Sequence, residues 1–118
     1  MPWRLLQYKG AFDTFWASCT EEMKDSIRPR LTQLWLKGNL ATFPITEALG
    51  DGLFEVRGRF KTVRLRLLFG FLPGQRIVFV WGGTKDQKTL PPATIAAARR
   101  LLEEAKASIE VLHVAQFH

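Results

Sequence analysis

The sequence predicts one α+β domain whose first half is helical and whose second half is an antiparallel sheet. Apolar residues recur at helical spacing before Gly38, whereas charged and apolar residues alternate between Leu53 and Phe69. A second helical stripe follows Pro92. The 118 residues match the length of one ordinary domain, so residues 1–118 are expected to share a single core. We expect a sheet of roughly three to four strands, with the N-terminal helices and the C-terminal helix packed on one face.

The first elements are short and aromatic. Trp3 to Tyr8 fits either a first strand or the start of a helix, because its apolar run is too short to separate the two. Phe12, Phe15 and Trp16 then follow at helical spacing, which predicts a helical turn with its rings directed inward. We therefore assign these aromatic residues to the core.

A long helix is predicted next. Ser18 with Glu21 resembles a capping box, and Gly38 with Asn39 supplies residues that commonly end a helix. Pro29 falls inside this span, so the helix either kinks there or divides into two shorter helices. The apolar stripe that defines its buried face consists of Met23, Ile27, Leu31 and Leu34.

Two adjacent strands are predicted between Gly52 and Phe69, with a turn within Gly58–Lys61. The preceding segment, Asn39–Asp51, has room for one helical turn formed by Ile45, Ala48 and Leu49. Successive side chains of a strand point to opposite faces, so each strand separates its apolar residues from its charged ones. The charged face carries Glu55, Arg57, Arg59, Arg64 and Arg66, and the apolar face of the second strand carries Val63, Leu65, Leu67 and Phe69.

The last third of the chain predicts a turn, a strand, a loop and a helix. Leu72–Gln75 has Pro and Gly in the positions that fit a type II turn. The β-branched and aromatic run Ile77–Trp81 predicts a buried strand that ends at Gly82-Gly83. Residues 84–92, TKDQKTLPP, are polar and predict a loop whose final Pro92 opens the last helix. The inner face of that helix consists of Ile95, Ala98, Leu102, Ala105, Ile109 and Leu112, and no element is assigned to His113–His118.

Composition excludes several classes of site. Cys19 is the only cysteine, so the chain has neither a disulfide framework nor a cysteine-rich zinc site. His113 and His118 have no neighbouring carboxylate, and Gly82-Gly83-Thr84-Lys85 lacks the spacing of a phosphate-binding loop. No signal sequence or apolar run of about 18 residues is present. We expect a cytoplasmic protein without a membrane segment, a metal or a cofactor.

A basic surface is the remaining candidate for function. Seventeen Lys and Arg residues against eleven Asp and Glu give a formal net charge of +6, which favours a polyanionic partner. Guanidinium groups bind phosphate through paired hydrogen bonds, so a single-stranded RNA backbone fits such a surface. A solvated face that only keeps the protein soluble fits the same pattern equally well. The cations that the predicted sheet gathers are Arg57, Arg59, Lys61, Arg64, Arg66, Lys85 and Lys88.

An ordered set of short motifs points further. It consists of Gly52-Leu53-Phe54-Glu55-Val56-Arg57, Arg66-Leu67-Leu68-Phe69 before Pro73-Gly74, Ile77-Val78-Phe79-Val80, Lys85 with Gln87-Lys88-Thr89, and Ala98-Arg99-Arg100. In the order and spacing of these motifs, the chain from about Thr20 onward resembles toxins of the RelE/ParE superfamily. The resemblance is to the phage-derived HigB-like branch of bacterial type II toxin–antitoxin modules.

This resemblance implies a RelE-like fold and an mRNA interferase, a metal-free endoribonuclease that cuts mRNA in the ribosomal A site. In such enzymes the RNA 2′-hydroxyl attacks the adjacent phosphate and leaves a cyclic phosphate. By position in the motifs, Arg57 and Arg66 would clamp the scissile phosphate. Lys85 and Lys88 would supply the base and further positive charge, and Arg66 and Lys85 are expected to be exposed.

Other residues of the same surface are expected to bind RNA or to support the site. The expected RNA-binding residues are Arg59, Lys61, Arg64 and Trp81, although Trp81 also fits a place in the core. Glu55 is expected to pair with Arg57 or Arg64 in a structural role. The chain departs from the family pattern at Phe69, where many relatives carry a tyrosine, and at Trp81, where a histidine is common.

The implied partners are mRNA on the ribosome and a cognate helix-turn-helix antitoxin, with which the chain would form a toxin–antitoxin hetero-oligomer. Two other interpretations stay open. One is a ParE-like toxin that poisons DNA gyrase by protein contact, and the other is a degenerate member that only binds an antitoxin.

Overall fold

The computed structural model describes residues 2–85 and 89–118, and describes Lys85 by its backbone alone. Its elements are β1 (Arg4–Gln7), α1 (Ala11–Ala17), α2 (Glu21–Lys37), β2 (Thr46–Gly50), β3 (Leu53–Phe60), β4 (Val63–Leu72), β5 (Arg76–Lys85), α3 (Pro92–Lys106) and β6 (His113–Val114). Short 3₁₀ turns follow α2 and α3, at Gly38–Leu40 and Ile109–Val111. The α+β class predicted from the sequence is confirmed.

The sheet is larger than the sequence predicts. It has six strands in the order β2-β3-β4-β5-β1-β6, and β1 runs parallel to β5 while the other neighbours are antiparallel. Trp3–Tyr8 thus contains a strand rather than a helical start. The helical turn predicted at Ile45–Leu49 is wrong, because Ala48 and Leu49 lie within β2, which pairs with β3. The unassigned tail supplies β6 on the far edge of the sheet.

The helices cover both faces of the sheet, which corrects the expectation that they share one. Helices α1 and α2 pack over a core that includes Phe12, Ile27 and Phe69. Helix α3 packs over a second core on the opposite face, where Leu102 meets Leu68. Alternation along the strands explains the division, because neighbouring residues of β4 must project to opposite faces and both kinds are apolar there.

Helix α2 begins two residues later than the predicted capping box. Ser18 closes α1, with its backbone amide bonded to the carbonyls of that helix, whereas the Thr20 side chain accepts a hydrogen bond from the Met23 amide at 3.2 Å and starts α2. Pro29 lies inside a continuous helix, which settles that it does not divide α2 into two. Gly38 then ends the helix at φ 55°, where the Trp3 ring leaves no room for a side chain.

In the last third of the chain, the turn and the start of the helix lie where predicted, whereas the ends of β5 and α3 do not. The turn at Pro73–Gln75 is confirmed, with Gly74 at φ 78°. Strand β5 does not stop at Gly82-Gly83 but continues to Lys85, and a methyl group on Gly82 would lie 2.6 Å from Cβ of Phe15, so glycine permits the close approach of α1. Helix α3 begins at Pro92 as predicted and ends at Lys106 instead of continuing to Leu112.

Residues 86–88 of the predicted loop lie outside the described residues. Across the parts of the chain that are described, no helix is both long and apolar enough to cross a membrane.

Candidate functional site

The register of β3, β4 and β5 brings the predicted basic residues into rows. Arg57 pairs with Arg66, and Arg59 pairs with Arg64. The backbone of Lys85 lies opposite Arg64 on the other side of β4. Directly paired residues of a sheet share a face, so the clustering of these arginines across two strands is confirmed. The structure does not describe the Lys85 side chain, and Lys88 lies outside the described residues.

Arg66 is buried, although the sequence analysis expected it to be exposed. Its side chain is 4% exposed, and its Nη1 donates to Oε2 of Glu55 at 3.1 Å. The Glu55 side chain is 2% exposed. Leu90, which precedes α3, and Ile95 in its first turn line the same region. Arg66 is therefore part of the interior, where its charge is compensated by a carboxylate.

Glu55 also holds Arg57, which lies at the surface end of the same network. Nε of Arg57 is 3.3 Å from Oε1 of Glu55, and one of its terminal nitrogens is 2.8 Å from Oε2 of Glu47. The Arg57 side chain is 36% exposed. The expected structural pairing of Glu55 with Arg57 is thus confirmed, and its second partner is Arg66 rather than Arg64. Two carboxylates fix the Arg57 guanidinium while leaving one edge of it accessible.

A cleft lies beside Arg57 because β2 is shorter than β3. Pairing between the two strands begins at Thr46 and Val56, so the following part of β3 is not covered by β2. A cavity of about 410 Å³ occupies this position, between that part of β3, helix α2 and the segment that precedes β2. We call it the arginine cleft, and its lining residues are Ser26, Arg30, Phe43, Pro44, Arg57, Gly58, Arg59 and Arg64.

Gly58 explains how α2 reaches this cleft. A methyl group at Gly58 would lie 2.7 Å from Cβ of Ile27 and 3.1 Å from its Cα. Only glycine lets the helix lie this close to β3. The close contact places Ser26 and Arg30 of α2 next to the arginines of the strands.

The arginine cleft is strongly positive. Arg30 donates to the carbonyl of Pro44 at 2.7 Å, and Nε of Arg59 donates to the carbonyl of Lys61 at 3.0 Å. Within residues 2–85 and 89–118, neither of these arginines nor Arg64 forms an ion pair with a carboxylate. Guanidinium groups keep their charge at any ordinary pH, so the cleft is suited to a polyanion.

A smaller cavity of about 160 Å³ lies on the other side of Arg57. Glu47, Glu55 and Arg66 contribute to it from the sheet, and Thr89, Leu90 and Ile95 contribute from the start of α3. Arg57 lines both cavities and therefore connects them. An anion bound at Arg57 would therefore be accessible from both cavities.

The two aromatic departures from the family pattern have clear positions. Phe69 is fully buried and packs against Phe54 and Phe79. Trp81 is half-buried and packs against the core beneath α3. Neither ring supplies a hydroxyl or an imidazole to the arginine cleft.

Several residues of the site were not found by sequence reasoning. Arg30 stands next to the buried stripe of α2, and Phe43-Pro44 lies in a segment that was assigned only as a link. Glu47 falls within the span of the predicted helical turn but lies in β2. A phenylalanine outside any apolar period is the one signal in the sequence that could have drawn attention to Phe43.

Metal-binding and thiol chemistry receive no support from the described residues. They contain no group of three or more His, Cys, Asp or Glu side chains that could hold a metal ion. Cys19 is buried, and its thiol donates to the carbonyl of Phe15 at 3.3 Å. Burial raises the pKa of the Cys19 thiol, which keeps it protonated and unreactive.

Comparison with known proteins gives one family. The family described as phage derived protein Gp49-like (DUF891) matches residues 14–103, which is 90 of the 118 residues and includes α2, the four strands β2 to β5 and most of α3. No curated protein matches the chain. Because the match extends over most of its length, the chain belongs to the phage-derived Gp49-like family, a RelE-type, toxin-like family of phage-derived toxin–antitoxin systems.

Proposed function

We propose that the chain is the toxin of a phage-derived toxin–antitoxin pair and acts as an mRNA interferase of the HigB-like kind. The observation that carries this proposal is the arginine cleft, in which Arg30, Arg59 and Arg64 face solvent without a carboxylate partner among the described residues. Uncompensated guanidinium groups in a cavity favour a phosphodiester backbone over an apolar ligand. Membership of a RelE-type, toxin-like family supports the proposal of a toxin, and the reaction class is part of the proposal.

The proposed reaction is cleavage by the RNA itself. The 2′-oxygen of one ribose bonds to the neighbouring phosphorus while the bond from phosphorus to the 5′-oxygen of the next nucleotide breaks. A base takes the 2′-hydroxyl proton, and an acid gives a proton to the leaving 5′-oxygen. The products are a 2′,3′-cyclic phosphate and a 5′-hydroxyl.

Arg57 is the arginine best placed to bind the scissile phosphate. It lines both cavities, and its guanidinium is oriented by Glu47 and Glu55. A preorganised donor of this kind stabilises the negative charge that develops on the phosphate oxygens during attack. Arg66 is assigned a supporting role instead of a clamp, because it is buried and holds Glu55, which in turn holds Arg57.

Lys85 and Lys88 remain the proposed sources of proton transfer and of further positive charge. The backbone register places Lys85 at the end of β5, opposite Arg64 on the neighbouring strand. Mutual repulsion among cations lowers the pKa of a lysine, which favours its use as a base near neutral pH. Arg59, Lys61 and Arg64 would bind the flanking phosphates, whereas Trp81 packs into the core more than it faces the cleft.

A small antitoxin is the proposed protein partner. An acidic arm or helix that enters the arginine cleft would compensate the same guanidinium groups that RNA would bind. Inhibition would then follow from competition for one surface.

A gyrase-poisoning toxin is the second candidate, and Phe69 is the observation that favours it. This residue is fully buried where many relatives carry a tyrosine, so a proton donor is missing from that position. Toxicity by protein contact alone would need no such donor.

Mapping of mRNA ends after brief expression tests the proposal. We expect new 5′ ends within codons when the wild-type chain is expressed, and a loss of about 100-fold or more in cleavage for Arg57→Ala, since one preorganised donor contributes about that much. Lys85→Ala should have a similar effect. Arg100→Ala, which removes an exposed arginine from α3, is the matched control and should cut normally. Growth arrest without new mRNA ends, accompanied by DNA damage, would replace this proposal with the gyrase hypothesis.

A further inference from the structure

Phe43 presents an exposed aromatic ring to the arginine cleft. It is 73% exposed, although phenylalanine is among the residues most often buried in folded proteins. The segment around it is well anchored, because Ala41 is 3% exposed and Thr46 is 7% exposed. The ring is therefore directed outward by a fixed backbone.

Specific hydrogen bonds hold this segment in place. The Thr46 hydroxyl donates to the carbonyl of Ala41, and the Ile45 amide donates to the carbonyl of Thr42 at 2.9 Å. Arg30 of α2 donates to the carbonyl of Pro44, directly after the exposed ring. A ring that is preorganised in this way can bind a flat ligand at a small cost in conformational entropy.

The ring and the charges of the cleft suit the two parts of a nucleotide. A base has a flat face that stacks on an aromatic side chain, and a phosphate is bound by guanidinium groups. The volume of about 410 Å³ is within the range of sites that hold small molecules of this size. Phe43, from the segment before β2, lines the cleft together with Arg57 and Arg59 of β3.

We propose that the arginine cleft is a nucleotide subsite for the RNA next to the scissile phosphate, with the base stacked on Phe43 and the backbone held by Arg30, Arg59 and Arg64. This proposal rests on the proposed function, since it assumes that RNA is the substrate. It adds a base-binding residue outside the sheet, in the segment that joins α2 to β2.

If the exposed ring instead bound a protein, other exposed apolar residues should also contribute to binding. Leu36 and Leu40 are 51% and 75% exposed and lie on the same stretch of chain, but neither lines the arginine cleft. A partner that covered an apolar patch would use these leucines together with Phe43. A stacked base would use only Phe43, so Leu40→Ala is the matched control.

Binding of a non-cleavable RNA tests the subsite without requiring catalysis. The probe is a short single-stranded RNA with 2′-O-methyl riboses and a fluorescent end, titrated with the full chain at low salt and followed by anisotropy. Phe43→Ala should weaken binding about tenfold, because stacking on one base contributes about that much. Phe43→Trp should retain binding, and Leu40→Ala should have no effect. Arg30→Gln should weaken binding and reduce the slope of log K against log salt by about 0.7, whereas Phe43→Ala should leave that slope unchanged.

The outcomes separate this proposal from the proposed function. The subsite is overturned if Phe43→Ala binds the RNA probe as tightly as the wild-type chain does. It is also overturned if Phe43→Ala and Leu40→Ala lose affinity equally, or if the wild-type chain does not bind the probe. If mRNA cleavage is normal and RNA binding is unaffected by Phe43→Ala, the subsite is overturned and the proposed cleavage function still holds. Binding that depends on Phe43 in a chain that cuts no mRNA supports the subsite and overturns the proposed cleavage reaction.

Discussion

Arg66→Ala should destabilise the fold before it affects any chemistry. The substitution removes the guanidinium that lies 3.1 Å from Glu55, whose side chain is 2% exposed. Among the described residues, Glu55 would then keep one cationic partner, Arg57, at 3.3 Å. Removal of one partner from a buried ion pair costs about 3–5 kcal/mol, because the other charge stays out of water without compensation.

That loss is large for a domain of this size. Small domains have a free energy of unfolding of about 5–15 kcal/mol, so Arg66→Ala would remove at least about a fifth of it. Urea unfolding followed by circular dichroism measures the effect, and the midpoint should fall by roughly 2 M. Glu55→Leu combined with Arg66→Met replaces both charges by apolar groups and should restore most of the stability, since neither charge of this pair is left without its partner.

Two results would refute this reasoning. A free energy of unfolding within about 1 kcal/mol of the wild-type value for Arg66→Ala would show that the pair contributes little. A double variant as unstable as the single one would show that packing volume, rather than charge, determines the loss. If the reasoning holds, inactivity of Arg66→Ala is no evidence for a catalytic Arg66, and Arg57→Ala is the informative variant.

Two further predictions concern the packing and the pH dependence of the fold. Gly58→Ala should lower the free energy of unfolding, measured with urea, by about 1–3 kcal/mol. The new methyl group would lie 2.7 Å from Cβ of Ile27 and force α2 away from β3. An unchanged urea midpoint would show that the helix can move without cost. The Tyr8 hydroxyl donates to Glu104 at 3.0 Å, and this hydrogen bond lowers the pKa of Glu104. A carboxyl whose pKa is lower in the folded chain stabilises the fold above its unfolded pKa, and this contribution is lost as pH falls through the folded value. Between about pH 7 and about pH 3, the urea midpoint of Tyr8→Phe should therefore fall less than that of the wild-type chain, and parallel curves for the two proteins would contradict the assignment.

Local patterns account for the parts of the fold that the sequence predicts correctly. Strands β3 and β4 are neighbours in the chain and pair residue by residue, so the alternation of their side chains determines which arginines share a face. The start of α3 is predicted by Pro92, whose effect on the helix is also local.

Features that depend on distant residues are the ones that sequence reasoning missed. The burial of Arg66 requires α3 to lie over the sheet, and no period in the sequence shows that Leu90 and Ile95 come close to it. The pairing of β1 with β5 joins residues about seventy positions apart, such as Leu5 and Ile77.

The residues of the candidate site also differ in whether local patterns or distant contacts determine their positions. Arg57, Arg59 and Arg64 could be assigned to one surface because they lie on one hairpin. Arg30 and Phe43 could not, since their positions depend on how far β2 extends along β3 and on how closely α2 approaches Gly58.

The short β2 strand has a consequence for the behaviour of the protein in solution. Beyond Val56, one side of β3 is not covered by β2, and an uncovered strand edge is a template for pairing with another copy of the chain. Long charged side chains are a common protection against such pairing, and here the exposed or half-exposed arginines beside the edge are Arg30, Arg57, Arg59 and Arg64. We therefore expect that replacing the residues proposed to bind RNA would both weaken RNA binding and favour self-association of the chain.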